Sequence, residues 1–474
     1  MWRLRRAKGD MAMQSDSGQR GDEDLKYDPV RDEKDWTIGA TAVAWGVGVV
    51  VGGGRDADDS TPTDPLVVDE TPVDPLAAPS AEQPAAPETA HATLHLADLP
   101  LAWSFDICGL NSGGLAVAWG TDGNAPAQTG DVLVRLLDAT LAPMGNGQPI
   151  TVNTDPAGTA YGIGLTRLSN GGFAVCWTGY PAATPGRAAL MVRRFDAAGA
   201  PLGTTYTIAS EAGPVLGALI PLDDSGEGSV AVLSAFTGQA WILNAHNGTL
   251  SAPFAIDSGH DGFAPIKAAP RLGGFTVLFG ERSVPTSATV PSRLVARDYS
   301  VRIGRQQIAP VAVAHDVNSP RTPVNDLSDS NYQPDLWVRE TGETLVTWIS
   351  NGTDDAAAGQ VLIARSEANG AFSQPALASQ GATTPYSFSS ALAGTADGRF
   401  AVAWDSRDGV RYPVATTIAF QRFDSAWMAV GGVVSCLAGG MAPLVRTLAD
   451  GRLVVAAVVS TGTTNTLNAA VFAA

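Results

Sequence analysis

The chain has 474 residues, of which 45% are hydrophobic and 16% are charged, and this composition excludes a largely disordered protein. Its formal net charge of −17 disfavours binding to nucleic acid or to an anionic membrane surface. We interpret the acidity mainly as solubility, with an acidic docking surface for a basic partner as the alternative.

The N-terminal segment combines a charged stretch with an uncharged one. Residues 1–35 are polar and lack apolar periodicity, so we predict a mostly disordered cytoplasmic tail. Residues 36–54 carry no charge over about the length that a transmembrane helix needs, and basic residues precede them. The positive-inside bias then places the N-terminus in the cytoplasm and the rest outside. A cleaved signal peptide and a soluble Gly/Ala-rich segment are the alternatives.

Small residues recur at every fourth position of the uncharged segment. On a helix they form a single ridge, along which a second membrane helix can approach closely. The pattern predicts a helix-packing surface, and chance in a Gly/Ala-rich stretch is the alternative. The ridge consists of Ala40, Ala44, Gly48 and Gly52.

Residues 55–90 form a Pro/Asp-rich linker. Within it, TPTDPLVVDE (Thr61–Glu70) is followed by the near-repeat TPVDPLAAPS (Thr71–Ser80). Proline at this density favours an extended chain of about 3.1 Å per residue. We predict a disordered, extended tether between the membrane and the remainder of the chain.

One pattern then recurs about seven times between residue 109 and the C-terminus. A glycine suited to a tight turn precedes a strand such as NGGFAVCW (Asn170–Trp177), and weaker copies occur at Ser225–Leu233 and Asp450–Ala457. The clear copies end on a large aromatic residue, which we predict to lie in the core of its repeat: Trp119, Trp177, Phe279, Trp348 and Trp404.

Each copy is predicted to form a four-stranded unit. In the second copy, the bulky Phe173, Val175 and Trp177 alternate with the small Ala174 and Cys176, as expected for a strand buried between two sheets. Turn signals separate its four predicted strands, and four antiparallel strands repeated about seven times indicate an all-β, seven-bladed β-propeller over residues 91–474. The predicted strands are Ala160–Leu168, Gly172–Thr178, Ala189–Asp196 and Thr204–Ala209.

The two ends of the repeat region predict ring closure. The seventh copy offers three strands and then stops, whereas Ala92–Leu99 precedes the first copy without partners of its own. We predict that Ala92–Leu99 completes the last blade, because closure removes the exposed sheet edges of an open array.

The segment Ser169–Ser210, with Ala419–Ala426 as a partial second match, carries a family resemblance. It resembles the GGFxVxW…RFDxxGxPxG repeats of large secreted bacterial proteins, often adhesin-like or RTX-type. The resemblance implies a propeller and an extracytoplasmic location, and it implies no activity.

The sequence contains few residues in patterns typical of catalytic or metal-binding sites. Cys108, Cys176 and Cys436 form no CxxC motif, and we interpret them as buried free thiols. The five histidines lack metal-ligand spacing. Asp223–Gly226 and Asp405–Gly409 resemble calcium loops in their Asp and Gly content but lack the alternating oxygen ligands that calcium requires. We therefore predict no catalytic residue, cofactor or metal.

The insertion Asp316–Asp335 is the candidate binding loop, because long polar loops on rigid scaffolds often carry binding residues. Its candidate residues are Asp326, Asp329 and Tyr332, and an ordinary variable loop is the alternative.

These features favour a non-enzymatic interaction or scaffold subunit of a larger assembly. We expect it to sit in the inner (cytoplasmic) membrane by a single span, with partners among other membrane helices and an extracytoplasmic protein. A surface adhesin that binds carbohydrate or matrix is the first alternative, and a polysaccharide-acting propeller enzyme is the second.

Overall fold

The computed structural model describes much of the chain from residue 90 onward, with internal gaps. The described residues are 90, 92–99, 104–121, 130–153, 161–180, 187–211, 217–222, 229–234, 237–259, 263–281, 293–302, 305, 307–311, 314–317, 334–351, 358–367, 370–379, 386–407, 416–460 and 465–473.

The described strands form seven antiparallel sheets, or blades, each built on four strands, and blade 4 has a short fifth strand. Numbered in chain order and given from the innermost strand outward, they are: blade 1, β2 (Phe105–Gly109), β3 (Leu115–Gly120), β4 (Val132–Leu137) and β5 (Ile150–Thr151); blade 2, β6 (Tyr161–Arg167), β7 (Phe173–Gly179), β8 (Ala188–Phe195) and β9 (Tyr206–Glu211); blade 3, β10 (Gly217–Leu222), β11 (Ser229–Ser234), β12 (Gln239–Leu243) and β13 (Phe254–Ala255); blade 4, β14 (Phe263–Arg271), β15 (Gly274–Glu281), β16 (Leu294–Arg302) and β17 (Gln307–Pro310), with β18 (His315–Asp316) also paired to β16; blade 5, β19 (Asp335–Val338), β20 (Thr344–Asn351), β21 (Ala358–Arg365) and β22 (Ala376–Leu377); blade 6, β23 (Tyr386–Gly394), β24 (Phe400–Arg407), β25 (Thr416–Phe423) and β26 (Ala429–Ala438); blade 7, β27 (Gly440–Thr447), β28 (Leu453–Ser460), β29 (Asn465–Phe472) and β1 (Ala92–Leu99).

The seven innermost strands close into a ring. Each contacts the innermost strand of the next blade, and β27 of blade 7 contacts β2 of blade 1. In blade 7, β1 pairs antiparallel with β29, from Ala92 opposite Val471 to Leu99 opposite Asn465. The N-terminal strand therefore completes the last blade and covers its edge.

The turn between the first two strands of a blade explains the paired glycines of the repeat. In blade 2, the Leu168 N–H donates to the Gly172 carbonyl at 2.8 Å, and the Gly171 N–H donates to the Leu168 carbonyl at 3.0 Å. Gly171 has a φ of 88°, which favours glycine. A Cβ on Gly172 would collide with the carbonyl oxygen of Phe195. Left-handed glycines occupy the corresponding turns of blades 1, 5, 6 and 7: Gly113, Gly342, Gly398 and Gly451.

The hydrophobic core lies between neighbouring blades. Phe173, Val175 and Trp177 of β7 pack in one cluster with residues of blade 1. Ala174 and Cys176, on the opposite face of β7, pack against blade 3. The alternation of bulky and small side chains predicted from the sequence is therefore confirmed, and each buried aromatic side chain contributes roughly 1.5–3 kcal/mol.

The seven-bladed, four-stranded propeller predicted from the repeats is confirmed. The strands predicted for the second copy correspond to β6–β9, with ends displaced by one or two residues. The weaker copies contain β11 and β28. The predicted tail (residues 1–35), transmembrane helix (36–54) and nearly all of the linker (55–90) lie outside the described residues. Within the described ranges, no helix has the length and apolar character needed to span a membrane.

Candidate functional site

The innermost strands surround a central channel with a cavity volume of about 530 Å³. Its wall is largely apolar, with side chains such as Leu219, Leu336 and Trp337. Of the described residues that line it, four are cationic and three are anionic, in a protein whose overall charge is −17. The charged lining residues are Arg167, Lys267, Arg407, Arg446, Asp106, Asp335 and Asp405.

One residue from each blade forms a layer of this wall, which we call the channel layer. Each member lies on the first strand of its blade and is paired with a residue of the second strand. In every blade, that paired residue immediately precedes the aromatic position of the repeat, which is Leu233 in blade 3 and Ala457 in blade 7. They are Asp106, Gly164, Leu219, Lys267, Asp335, Ala391 and Leu444.

Asp106 joins three blades. The Arg446 side chain donates from Nη2 to Asp106 Oδ1 at 3.0 Å, and from Nε to the Ile107 carbonyl at 2.9 Å. The backbone N–H of Leu165 donates to Asp106 Oδ2 at 2.9 Å. Because Arg446 lies on β27 and Leu165 on β6, these bonds tie blades 7, 1 and 2 together at the point where the ring closes.

In blade 5, Asp335 makes the same backbone contacts as Asp106, to the following residue and to the next blade. Its Oδ1 accepts from the backbone N–H of Leu336, and its Oδ2 accepts from the backbone N–H of Leu392 on β23, each at 3.0 Å. Both carboxylates of the channel layer therefore bridge to the next blade, and each of their oxygens accepts at least one N–H donor.

Asp405 is the third carboxylate of the channel and is 1% exposed. It accepts from the backbone N–H of Ser389 at 2.7 Å and from Arg407 Nη2 at 3.0 Å. It belongs to Asp405–Gly409, one of the two segments with the Asp and Gly content of a calcium loop. Among the described residues, an ion pair and a backbone donor occupy its oxygens instead.

The aromatic residues predicted to mark the blade cores are all buried in the described structure. Phe279 packs in the cluster between blades 3 and 4, and Trp348 packs in the cluster between blades 4 and 5. These side chains stabilise the ring and do not line the channel. The other three are Trp119, Trp177 and Trp404.

Arginines on the third strands of blades 1, 2, 4 and 6 bond to a neighbouring blade. Arg193 donates to the Val152 carbonyl of the preceding blade 1 at 2.5 Å, and Arg194 donates to the Ala245 carbonyl of the following blade 3. Successive residues of a strand point to opposite faces, so adjacent arginines reach opposite neighbours. Related bonds to a neighbouring blade's carbonyls come from Arg135, Arg297 and Arg422.

The aspartate that follows the third strand caps the next turn. Asp196 Oδ1 accepts from the backbone N–H groups of Ala198 and Ala200 at 2.9 and 2.8 Å. Asp138 and Asp424 make the same pair of bonds in blades 1 and 6. The RFDxxGxPxG pattern is thus accounted for by inter-blade bonding and turn formation.

All three cysteines are free thiols. Cys108 and Cys176 are buried, as predicted, and Cys436 is half-buried. Burial raises the pKa of each thiol to about 12, so all three remain protonated at neutral pH.

The other predicted site residues fall outside the described ranges. They are the helix ridge Ala40, Ala44, Gly48 and Gly52, and the candidate loop residues Asp326, Asp329 and Tyr332. Across the ranges that are described, no three His, Cys, Asp or Glu side chains are grouped so that they could hold a metal ion.

Sequence reasoning missed the channel layer and its lysine. Lys267 lies on β14 immediately after a β-bulge between Pro265 and Lys267. The available signal was its isolation, because Lys34 is the last lysine before it and none follows.

The outer strand of blade 6 is the other unpredicted feature. β26 runs from Ala429 to Ala438 and is mostly exposed. Val430 on this strand is 50% exposed, and Met428 just before it is 48% exposed. No charged residue occurs between Asp424 and Arg446.

No protein-family model matches the sequence, and no curated protein matches it either.

Solved structures with a similar fold share little sequence with this chain. A protein of unknown function from Dyadobacter fermentans is 11% identical, with a TM-score of 0.46, and the match covers 81% of this chain and 97% of that one. Hydrazine synthase from Kuenenia stuttgartiensis is 11% identical, with a TM-score of 0.40 over 62% and 75% of the two chains. The Cps50 (Swd1) β-propeller domain of Myceliophteria thermophila is 10% identical, with a TM-score of 0.39 over 77% and 95%. Likenesses this weak carry no argument about function.

Proposed function

We propose that this protein is a non-enzymatic interaction or scaffold subunit of a membrane-associated assembly, and that a partner protein docks on β26. Residues 36–54 anchor it in the inner (cytoplasmic) membrane, and the propeller lies outside the cytoplasm. The resemblance to repeats of secreted bacterial proteins supports this location. The ridge Ala40, Ala44, Gly48 and Gly52 packs against a partner's membrane helix.

The observation that carries the docking proposal is the character of β26 compared with other outer strands. β26 has 10 residues, whereas the other outer strands have 8 (β1), 6 (β9), 4 (β17) and 2 residues (β5, β13 and β22). Proteins usually blunt a sheet edge by shortening it or by placing charges on it. β26 is long and uncharged, so its edge is suited to contact with another protein.

Charge and shape indicate what kind of partner fits. The chain has a net charge of −17, but the stretch around β26 is uncharged. A partner with a neutral, apolar surface can therefore approach β26 without electrostatic repulsion. Two β-bulges, at Thr417/Ile418 and Phe420/Arg422 of β25, interrupt the pairing of β25 with β26. Bulges disfavour indiscriminate pairing of flat edges, and we therefore assign a shape-matched partner protein rather than a second copy of this chain.

The substitution Val430→Lys tests this proposal, because it places an unpaired charge in the centre of the exposed apolar stretch. The tagged full-length chain is expressed in its source organism and extracted in mild detergent, and the mass of the extracted particle is measured. We expect the wild type to migrate as a larger assembly. Val430→Lys is expected to reduce the assembled fraction by about ten-fold, a typical effect at an interface centre.

Val311→Lys is the matched control. Val311 is 58% exposed and lies after the outer strand β17 of blade 4. The control should assemble like the wild type, since both substitutions add a surface lysine with little effect on stability. A wild-type chain that is extracted as a monomer would contradict the proposal. Binding of the purified wild type to a glycan array, with no protein assembly, would favour the adhesin alternative instead.

A further inference from the structure

Lys267 is the only cation of the channel layer. The other two ionisable members, Asp106 and Asp335, already accept two or more N–H donors each. No described residue forms an ion pair or hydrogen bond with the Lys267 side chain, which is half-buried. A half-buried ammonium without a counterion loses hydration that no described residue replaces.

The backbone at this position is also unusual. A bulge between Pro265 and Lys267 interrupts the pairing of β14 with β15, and bulges often redirect a side chain beside a site. The equivalent positions in the neighbouring blades 3 and 5 are Leu219 and Asp335. Lys267 is therefore a cation at a position that holds an apolar residue in blade 3 and a carboxylate in blade 5.

The surrounding channel has the size and lining of a small-molecule site. Its volume of about 530 Å³ falls within the range of roughly 300–1,000 Å³ that is usual for ligand pockets. Leu219, Leu336 and Leu444 supply apolar wall. Arg446 and Arg407 are paired with Asp106 and Asp405, so they add little net positive charge to the channel. Apolar walls with a few polar groups suit a ligand that carries one anionic group on an apolar body.

We propose that the central channel binds a small organic anion, a carboxylate or a phosphate monoester, whose charged group pairs with Lys267. The ligand's apolar body lies against the leucines of the inner strands. This site is independent of partner docking on β26.

The distribution of lysines allows a direct test on the full-length chain. The chain contains four lysines: Lys8, Lys26, Lys34 and Lys267. Reductive methylation with formaldehyde and cyanoborohydride modifies accessible amines, and peptide mass spectrometry gives the rate at each lysine. Rates are measured with benzoate, with phenyl phosphate, and with sodium chloride at matched ionic strength.

We expect an anion at about ten times its Kd to slow methylation of Lys267 by about ten-fold relative to sodium chloride, because the reagent then reaches the amine only in the molecules whose site is empty. Lys8, Lys26 and Lys34 serve as internal controls and should be unaffected. Protection by benzoate alone identifies a carboxylate site, and protection by phenyl phosphate alone identifies a phosphate site. Equal rates at Lys267 in all three solutions would overturn the proposal, as would failure of Lys267 to react while the other lysines do.

Thermal unfolding of Lys267→Met gives a second readout. The variant should be at least as stable as the wild type, because it removes an uncompensated charge. It should also lose the rise in Tm that the protecting anion gives the wild type. The same anion-dependent rise in both proteins would place the anion elsewhere and contradict the assignment.

Discussion

Blade 2 and blade 6 follow one template through their third strands and diverge after it. In blade 2, Phe195 stacks on Phe173 with ring centroids 5.0 Å apart, and in blade 6 Phe423 stacks on Phe400 at 4.7 Å. In both blades an arginine bonds to a carbonyl of the next blade, and an aspartate caps the following turn. The first three strands thus carry the interactions that build the ring.

The divergence begins in the turn itself. Three residues after the capping aspartate, blade 2 has Gly199 with a φ of 87°, and blade 6 has Trp427 with a φ of 72°. The Trp427 ring packs on Phe400 at 4.9 Å, and Arg365 lies 5.2 Å from its centroid. A left-handed tryptophan is costly unless its surroundings hold it. Blade 1 also has a left-handed non-glycine residue here, Leu141 with a φ of 65°, but only in blade 6 among these three blades does the turn precede a long exposed strand, β26.

The comparison suggests where function lies in a repeat protein. The positions that recur from blade to blade are explained by inter-blade packing and turn chemistry. Lys267 and β26 break the repeat with no evident gain in stability, and such departures are expected where a protein carries a function.

The strongest test of the shared template is removal of its stacked rings. Phe195→Ala and Phe423→Ala should each destabilise the protein by about 3–5 kcal/mol, because each removes a buried aromatic side chain and leaves a cavity. Chemical denaturation of the full-length chain measures both. The exposed Leu272→Ala, on a surface turn of blade 4, is the control and should change stability little. A loss at Phe423 several-fold smaller than at Phe195 would mean that the two blades do not share this interaction.

A smaller effect is expected from Gly199→Ala. The substitution forces alanine into a left-handed conformation, and its Cβ would collide with Ile150 of blade 1. We expect a loss of about 1–3 kcal/mol by thermal unfolding.

Gly171→Ala is the matched control for this substitution. Gly171 has a φ of 88°, but no atom lies near a Cβ added to it. Its cost should therefore be limited to backbone strain, about 1 kcal/mol. If the two alanine variants were equally stable, contact of the turn with the neighbouring blade would be unimportant.

The smallest effect concerns the turn cap in blade 1. The hydroxyl of Thr140 donates to Asp138, and together with backbone N–H donors it holds the pKa of this carboxyl below its ordinary value. A lowered pKa stabilises the fold above the unfolded-state value of about 3.9, and this contribution is lost as the pH falls through the folded-state pKa. The difference in Tm between the wild type and Asp138→Ala should therefore be largest near neutral pH and shrink below about pH 4. A difference that is the same at both pH values would contradict the assignment.

The fold was predictable because its determinants are local and repeated. The glycine turns, the alternation around Trp177 and the missing strand of the seventh copy can all be read along the chain. The charged contacts of the channel could not be predicted in this way. Asp106 and Arg446 lie 340 positions apart and meet only because the ring closes.

The two candidate sites were hidden for different reasons. The bulge before Lys267 breaks the period-2 pattern, so the sequence does not show that this residue lines the channel. The apolar composition of β26 resembles that of a buried strand such as β28, although β26 lies at the edge of its sheet. Burial of an outer strand depends on what covers it, and this information is not contained in strand periodicity.

Hydrogen exchange in the extracted assembly tests the central claim most directly. The full-length chain is compared within its native complex and after dissociation, and β26 is compared with β9, the outer strand of blade 2. We predict that the amides of Ala429–Ala438 exchange more slowly in the complex, whereas those of Tyr206–Glu211 are unchanged. Equal exchange of β26 in both states would contradict the claim that this strand docks a partner.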